Sequence, residues 1–279
     1  MLLVTGANGQ LGSELRILLG NEAVYTGHKE LDVADEAAVK NFFTGREFAF
    51  VINCAAYTAV DKAENDVEKA YRTNTLGPAL LARYGRRVIQ ISTDYAFEGT
   101  ATVPYTEMDS PHPVSVYGKT KLTGEKAVLA EAESAVVIRT SWLYSSFGTN
   151  FVKTMRDLGA VRESIGVVFD QVGTPTYAAD LAAAIVAILP QIRTGTKEIY
   201  HYSNEGVASW YDFAVAIMEE SGLSCTVHPI ESAEYPMLAA RPAYSVLNKA
   251  KIKKEFGLVI PHWRDGLRRC VKKMKEENA

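Results

Sequence analysis

The sequence predicts an α/β protein with a Rossmann-like, doubly wound parallel sheet and a smaller C-terminal substrate-binding lobe. Short apolar segments alternate with segments of helical spacing through the first half of the chain. A glycine-rich loop at 6–12 directly follows the first apolar segment. This order is typical of strand–helix–strand units, in which helices cover both faces of a parallel sheet.

The alternating elements can be placed in order along the chain. The first strand is predicted at 2–5, and a helix follows it because leucines recur at helical spacing, at Leu11, Leu15, Leu18 and Leu19. Further strands are predicted at 23–26, 48–54, 88–92 and 135–139. Further helices are predicted at 36–43, 61–73, 78–84 and 117–130.

Beyond residue 142 the alternation becomes irregular. Segments 145–150 and 170–175 are rich in glycine and polar residues, which indicates loops near a ligand. We therefore predict a dinucleotide-binding domain at 1–145. We predict a mainly substrate-binding lobe at 146–279, with some of its segments returning to the first domain.

Composition excludes several classes of protein. The net charge of −3, with acids and bases interspersed, argues against a nucleic-acid or anionic-membrane partner. The longest apolar run, 181–189, is far shorter than the roughly 20 residues of a membrane-spanning helix. No signal-peptide pattern precedes the first strand. The three cysteines form no CxxC pair and the five histidines no HExxH pattern, so we expect a cytoplasmic protein without a metal site.

The loop at 6–12 has the spacing GxxGxxG and predicts dinucleotide binding. Gly6 permits a tight turn, Gly9 lets the backbone approach a pyrophosphate, and Gly12 lets the helix pack close to the strand. The N-terminus of the helix offers amides to the phosphates. The cofactor contacts predicted in this loop are Gly6, Asn8, Gly9, Gln10, Leu11 and Gly12.

Three further side chains predict a nicotinamide-dependent carbonyl reductase. Tyr117 and Lys121 are four residues apart and share one face of a helix. Thr93 follows an apolar strand, where ligands of parallel sheets collect. The phenol would protonate a carbonyl oxygen, with its pKa brought toward neutrality by the ammonium. Alternatively, the Tyr117/Lys121 pair is an exposed surface pair, Ser92 is a capping hydroxyl and Asp94 is a turn residue.

The tip of the second predicted strand bears on the choice of cofactor. It reads Thr26-Gly27-His28-Lys29 and lacks the acidic residue that accepts hydrogen bonds from an adenosine ribose and repels a 2′-phosphate. We therefore predict NADPH as the preferred cofactor, with NADH possible because Glu30 and Asp32 can still reach the ribose. The cofactor contacts predicted on this side are His28, Lys29, Asp32 and Val33.

Eight motifs resemble those of the bacterial dTDP-4-dehydrorhamnose reductase family, a branch of the extended short-chain dehydrogenases and reductases. They are GANGQLG at 6–12, NCAAYTAVDKAE at 53–64, STDYAF at 92–97, YGKTKL at 117–122, RTSWLY at 139–144, NFVKTM at 150–155, DQVGTPT at 170–176 and RPAYSVL at 241–247. The resemblance spans nearly the whole chain. It implies NAD(P)H-dependent reduction of the C4 keto group of dTDP-6-deoxy-L-lyxo-4-hexulose to dTDP-L-rhamnose.

The resemblance also implies roles for individual residues. The catalytic residues would be Thr93, Tyr117 and Lys121, with Lys121 also on the nicotinamide ribose. Further cofactor contacts would be Ala55, Ala56, Tyr57 and Tyr117. Trp142 would stack on or cover the sugar. The substrate contacts would be Thr93, Asp94, Tyr117, Trp142, Asn150 and Arg241.

Two other functions remain open on the same fold. A nucleotide-sugar epimerase or dehydratase would keep its NAD bound, and a dehydratase usually needs a glutamate beside Asp94, where this chain has Tyr95. A non-catalytic regulatory subunit would not need Thr93, Tyr117 and Lys121.

Some family members dimerise through a bound metal ion. Glu14 can supply one ligand, but no acidic cluster near 174–180 supplies the rest. We expect a monomer or weak homodimer.

Overall fold

The computed structural model describes residues 1–277. The strands are β1 (Leu2–Thr5), β2 (Ala23–Thr26), β3 (Val51–Asn53), β4 (Arg87–Thr93), β5 (Ser134–Thr140), β6 (Leu143–Tyr144), β7 (Ser164–Val168), β8 (Val172–Gly173), β9 (Thr176–Tyr177), β10 (Lys197–His201), β11 (Ala208–Ser209) and β12 (Thr226–Ile230). The α-helices are α1 (Gln10–Leu19), α2 (Glu36–Phe43), α3 (Val60–Ala63), α4 (Val67–Tyr71), α5 (Gly77–Gly85), α6 (Val116–Glu131), α7 (Phe151–Val161), α8 (Ala178–Ile188), α9 (Trp210–Ser221), α10 (Ala250–Phe256) and α11 (Trp263–Glu277).

A six-stranded sheet organises the first half of the chain. Its strand order is β10-β5-β4-β3-β1-β2, and every neighbouring pair is parallel. The chain runs from β1 outward to β2 and then returns to β3 on the other side of β1. Such a reversal leaves a crevice at the carboxyl ends of the strands, where ligands bind in this class of fold. The predicted doubly wound parallel sheet is confirmed.

Both faces of the sheet are buried. Neighbouring strand residues point to opposite faces, so Val4 and Ile52 pack under α1 and α8, whereas Leu3 and Val51 pack under α2 and α5. Strands covered on both sides consist of nearly continuous apolar runs. In α1 the buried face consists of Leu11, Leu15 and Leu19 at four-residue spacing, while Leu18 is half exposed and does not share it.

The second half of the chain builds a separate apolar cluster and also completes the first. Helices α7, α9 and α11 pack together around Met155, Phe213 and Trp263. Strand β12 pairs in parallel with β7. Helix α8 packs on α1, and β10 extends the sheet beside β5. Segments beyond residue 146 therefore contribute to both bodies, and the domain boundary near 145 stays a prediction.

Two predicted elements differ from those observed. Strand β3 is shorter than 48–54. The helix predicted at 61–73 is instead α3, α4 and a π-helical turn at Arg72–Leu76 that continues into α5. The wide turn points the Asn74 amide inward, where it bonds both backbone groups of Tyr57 and the Thr120 hydroxyl. These tertiary hydrogen bonds outweigh the local preference for a regular helix.

None of the helices within residues 1–277 is both long enough and apolar enough to cross a membrane.

Helix α6 can approach the π-helical turn closely because residue 124 has no side chain. A Cβ atom on Gly124 would overlap the carbonyl oxygen of Asn74. Gly124→Ala should therefore lower the free energy of unfolding by about 1–3 kcal/mol through overpacking. Urea unfolding measures this. The exposed Lys126→Ala on the same helix is the control and should stay within about 0.5 kcal/mol of wild type. Equal stability of both variants would contradict the packing argument.

Candidate active site

The three predicted catalytic side chains lie where the carboxyl end of β4 meets the first two turns of α6. The Ser115 hydroxyl caps α6 by accepting from the Gly118 amide at 3.1 Å, so the helix begins one residue before Tyr117. A Cβ atom on Gly118 would overlap the Tyr95 carbonyl oxygen. The start of the helix therefore rests directly on the segment that follows Thr93. The structure brings Thr93, Tyr117 and Lys121 together.

Tyr117 is buried, with its ring edge-on to Tyr95 at 5.5 Å between ring centroids. Burial raises the pKa of the phenol well above its usual value, and hydrogen bonding with Thr93 opposes the rise only in part. The expectation that Lys121 brings this pKa toward neutrality is wrong for this structure, because burial outweighs the other influences. A phenol that keeps its proton at neutral pH suits a proton donor.

Lys121 is also buried, and its Nζ atom donates to the Ile91 carbonyl oxygen at 2.6 Å. Burial lowers the pKa of its ammonium to about 8, while the charge of Glu125 opposes the fall. Cys54, directly after β3, lies near this ammonium. Burial raises the pKa of its thiol to about 12, so the thiol stays neutral. Lys121 is therefore a buried cation one helical turn from Tyr117 rather than half of an exposed surface pair.

Thr93 and Asp94 form a hydrogen-bonded turn. The Thr93 hydroxyl donates to Asp94 Oδ1 at 3.0 Å and accepts from the Tyr95 amide at 3.2 Å. Asp94 is buried, which raises the pKa of its carboxyl group to about 6 against hydrogen bonds from Ser245 and Thr93. Ser92 points to the other face of the sheet and donates to Glu125. Of the two hydroxyls, that of Thr93 faces Tyr117.

The glycine loop contacts the end of β3 without intervening side chains. Gly6 has φ +65°, and a Cβ atom there would lie 2.5 Å from the Ala55 nitrogen. A Cβ atom on Gly12 would lie 2.5 Å from Ala7 Cα. The chain thus forms a side-chain-free cradle at the N-terminus of α1, as the binding of a pyrophosphate requires. Gly9 precedes the helix in extended conformation.

Other predicted residues of this loop have different surroundings. The Leu11 side chain is buried in the core, so only its backbone can face a ligand. Gln10 donates to the Leu143 carbonyl oxygen and accepts from Asn150, which connects the loop to the lobe. Asn8 is exposed and lies beside Gly27.

An acidic side chain does occupy the tip of β2. Glu30 Oε2 accepts from the Gly27 amide at 2.8 Å. The Glu30 carboxylate therefore lies beside Gly27, the position at which the sequence has glycine rather than an acidic residue. His28 and Lys29 are exposed beside it. Asp32 accepts from the Ala34 amide and lies 3.8 Å from His28 Nδ1. Val33 is buried against Gly77, so its side chain is part of the core.

The predicted residues after β3 line the same crevice, and a buried hydrogen-bond network lies beneath them. Ala55, Ala56 and Tyr57 are partly exposed, and Tyr57 donates its hydroxyl to Asp66. Beneath them, Asn53 accepts from the Thr5 hydroxyl at 2.6 Å and donates to Gln90 at 2.7 Å. Sequence reasoning missed this buried network across β1, β3 and β4. Its signal is a polar residue near the end of each apolar strand.

An apolar cavity of about 490 Å³ opens on the lobe side of the site. Its lining includes Met155, Ile165, Trp210, Tyr235 and Arg241. Trp142 does not line it but stacks on Trp210, with ring centroids 3.5 Å apart. Trp142 has φ +47°, which is rare for a bulky residue and marks a constrained position.

Arg241 connects the lobe to the catalytic side chains. Its guanidinium donates to the Tyr95 hydroxyl at 2.8 Å and to the Asp61 carboxylate at 2.6 Å. Because Tyr95 packs against Tyr117, Arg241 lies one ring away from the phenol. Sequence reasoning identified Arg241 but missed its partner Asp61. A cation at this point, between the apolar cavity and the reacting groups, can bind an anionic part of a ligand.

Asn150 is a helix cap in this structure. Its Oδ1 accepts from the Lys153 amide, and its Nδ2 donates to Gln10 and to the Ser145 carbonyl oxygen. These internal partners use its hydrogen-bonding capacity, so its predicted contact with the nucleotide-sugar stays a prediction.

The carboxylate of Glu14 has protein partners. It accepts from the Ser145 hydroxyl at 2.6 Å and pairs with Lys273 at 3.1 Å. Within residues 1–277, no group of three or more His, Cys, Asp or Glu side chains is placed to hold a metal ion.

Comparisons with known proteins agree on one family. The family model described as RmlD substrate binding domain matches residues 1–276. The spore coat polysaccharide biosynthesis protein SpsK of Bacillus subtilis is 42% identical over 274 residues, covering 96% of this chain and 95% of that protein. The dTDP-4-dehydrorhamnose reductase of Aggregatibacter actinomycetemcomitans is 39% identical over 284 aligned positions, covering 96% and 97%. The crystal structure of the Bacillus anthracis dTDP-4-dehydrorhamnose reductase in complex with NADP has a TM-score of 0.93 and 37% identity, covering 98% of each chain.

The raised pKa of Asp94 predicts a pH-dependent stability. Since the folded chain holds this proton up to about pH 6 and the unfolded chain only to about pH 4, the free energy of unfolding falls as pH rises between them. Asp94→Asn should remove a fall of about 3 kcal/mol over this range. Urea unfolding of both proteins from pH 4 to 7 measures it. Parallel curves for the two proteins would count against the assignment.

Proposed function

The chain belongs to the RmlD substrate binding domain family, and on that premise we propose that it is an NADPH-dependent oxidoreductase that reduces the C4 keto group of dTDP-6-deoxy-L-lyxo-4-hexulose to give dTDP-L-rhamnose. The observation that carries the proposal is the buried Tyr117 phenol beside Thr93, with the buried Lys121 one helical turn away, at the carboxyl end of β4. The relatives named as dTDP-4-dehydrorhamnose reductases support the identity of the substrate.

The residues present fit a dinucleotide. The cradle at Gly6 and Gly12 would hold its pyrophosphate at the N-terminus of α1, and Lys121 would reach the nicotinamide ribose. When bound, NADPH supplies the hydride that the C4 carbon accepts. The reductase of Bacillus anthracis, which was crystallised with NADP, supports this choice of cofactor.

Three side chains transfer the proton, orient the C4 oxygen and stabilise the charge that develops. Tyr117 donates its phenolic proton to the C4 oxygen as that oxygen gains electrons. Thr93 donates a hydrogen bond to the same oxygen and orients it. The Lys121 ammonium stabilises the negative charge that Tyr117 acquires when it gives up its proton.

The lobe would bind the rest of the nucleotide-sugar. The apolar cavity beside Trp210 has the size and lining to take the thymine and its deoxyribose. Arg241, at the border between that cavity and Tyr95, would bind the diphosphate in place of Asp61. Trp142 supports this wall through its stack on Trp210.

We further propose a cytoplasmic enzyme that is a monomer or weak homodimer and has no nucleic-acid partner, and the pairing of its surface cations supports the last of these points. Helix α11 is rich in arginine and lysine, but several of these side chains pair with acids of neighbouring elements. Arg269 pairs with Asp180 at 2.7 Å and Lys273 with Glu14 at 3.1 Å. Paired cations do not form the unneutralised basic surface that phosphate backbones require.

Replacing Tyr117 tests the mechanism and the function together. Tyr117→Phe should lower kcat by roughly 10²- to 10⁴-fold, the range for general acid catalysis, with NADPH affinity near wild type. Lys121→Met should weaken both kcat and NADPH affinity because one ammonium serves both. NADPH oxidation is measured with the 4-keto sugar generated in situ by its upstream epimerase, and cofactor affinity by NADPH fluorescence. A wild-type enzyme inactive on this sugar would refute the proposed function; an active Tyr117→Phe would refute only the role of Tyr117.

The two charges at the tip of β2 predict the degree of cofactor preference. We expect the wild type to prefer NADPH. Lys29→Ala should reduce that preference, because the exposed ammonium attracts the 2′-phosphate. Glu30→Gln should increase it, because the carboxylate held by Gly27 repels the phosphate.

The measurement is kcat/KM for NADPH and NADH in all three proteins at low and high salt. The preference should shrink as salt is raised. Equal or better use of NADH by the wild type would contradict the prediction.

A further inference from the structure

A fully buried ion pair lies behind the catalytic helix, and the proposed mechanism leaves it without a role. Glu125 on α6 and Arg139 on β5 are 1% and 2% exposed. The Arg139 Nε atom donates to Oε1 at 3.0 Å and its Nη2 atom to Oε2 at 2.7 Å. Replacing a buried pair by apolar side chains is often neutral or stabilising, so stability alone does not explain this pair.

The Glu125 carboxylate joins three elements of the site. Its third donor is the Ser92 hydroxyl on β4. Ser92 and Arg139 are register partners on neighbouring strands, so both approach the carboxylate from the sheet. Ser92 immediately precedes Thr93, and Glu125 lies one helical turn beyond Lys121. A single carboxylate thus connects the strand that carries Thr93 with the helix that carries Lys121.

Glu125 is also the anion that faces the Lys121 ammonium. Tyr117 on the same helix and Cys54 after β3 also lie near Lys121, and burial keeps both neutral. The Arg139 cation lies on the far side of Glu125. From β4, the Ile91 carbonyl oxygen accepts the hydrogen bond of Lys121. The charge of Glu125 opposes the loss of the proton that burial favours.

Among the ion pairs within residues 1–277, that with Glu125 is the one that Arg139 makes. The nearby Glu107 carboxylate accepts from the His201 amide instead. His201 on β10 is the register partner of Arg139 and lies against Phe97. Burial lowers the pKa of this imidazole to about 3, so it is neutral. The Arg139 guanidinium also lies over the Phe97 ring at 5.2 Å. The hydrogen bonds of the Arg139 guanidinium to a carboxylate therefore go to Glu125, which they hold in place.

We propose that Glu125 is a positioning residue for the reduction: its carboxylate anchors α6 to the ends of β4 and β5 and stabilises the buried ammonium of Lys121. The catalytic part of this inference rests on the proposed function, whereas the effect on Lys121 does not. Without the carboxylate charge, Lys121 loses its proton at lower pH, and Tyr117 loses the cation that supports proton transfer.

The direct test is the titration of Lys121 by NMR of protein with ¹³C-labelled lysine, assigned by comparison with Lys121→Met. In Glu125→Gln the Lys121 midpoint should move down by about one pH unit. The matched control is Glu14→Gln. Glu14 is also buried, accepts from a serine hydroxyl and pairs with a cation, but contacts Ser145 and Lys273 instead. Its variant should leave the Lys121 midpoint unchanged. An unshifted midpoint in folded Glu125→Gln would overturn the proposal.

The pH dependence of turnover provides the second readout. In Glu125→Gln the alkaline limb of kcat should move to lower pH by the same amount, while Glu14→Gln keeps the wild-type limb even if its thermal stability falls. A limb that moves equally in both variants would show a merely structural role and refute the proposal. If the wild type does not reduce the sugar, the proposed function fails, and the NMR titration still decides the role of Glu125.

A second variant covers the case in which Glu125→Gln does not fold because Arg139 is left as an unpaired buried cation. Glu125→Gln/Arg139→Met removes both charges and fills the space with a side chain of similar length. It should fold, and the Lys121 midpoint should be lower than in the wild type but by less than in Glu125→Gln, because the more distant positive charge of Arg139 is removed as well. A wild-type midpoint in this folded double variant would overturn the proposal.

Discussion

The close approach of helix α6 to the carboxyl end of β4 is the constraint on which the site depends. Gly118 lets the first turn of the helix rest on the Tyr95 carbonyl oxygen, and Gly124 lets its third turn rest on Asn74. At these distances Tyr117 meets Thr93, and Lys121 reaches back to the Ile91 carbonyl oxygen at 2.6 Å. A side chain at either glycine would push the helix away from the strand. The approach of Tyr117 to Thr93 therefore depends on backbone packing at these two glycines.

Burial in this packed region shifts the pKa values of Tyr117 and Lys121 in opposite directions. A low-dielectric environment disfavours charge, so the pKa of Tyr117 rises while that of Lys121 falls. The phenol is thus kept as an acid, and the ammonium needs a nearby anion to keep its proton. Glu125 provides that charge, held by Arg139 and by Ser92. Lys121 and the ion pair behind it thus interact electrostatically.

The two bodies of the molecule meet through polar side chains placed around the same crevice. Arg241, from the second half of the chain, bonds Tyr95 and Asp61 of the first half. Gln10, beside the glycine cradle, bonds Asn150 at the start of α7. Both contacts join the two halves of the chain beside this crevice.

The sequence alone predicted the alternation of strands and helices in the first half, the glycine loop after β1, and Thr93, Tyr117 and Lys121 as candidate site residues, because these features depend on local periodicity and spacing. Tertiary structure decided what depends on distant partners. It divided the helix predicted at 61–73 into α3, α4 and the start of a π-helical turn. It turned Glu30 back onto Gly27, made Asn150 a helix cap, and raised rather than lowered the pKa of Tyr117. It also paired Arg139 with Glu125 and Arg241 with Asp61. Burial and long-range hydrogen bonds have no signature in local spacing, since they arise only when segments far apart in the chain come into contact.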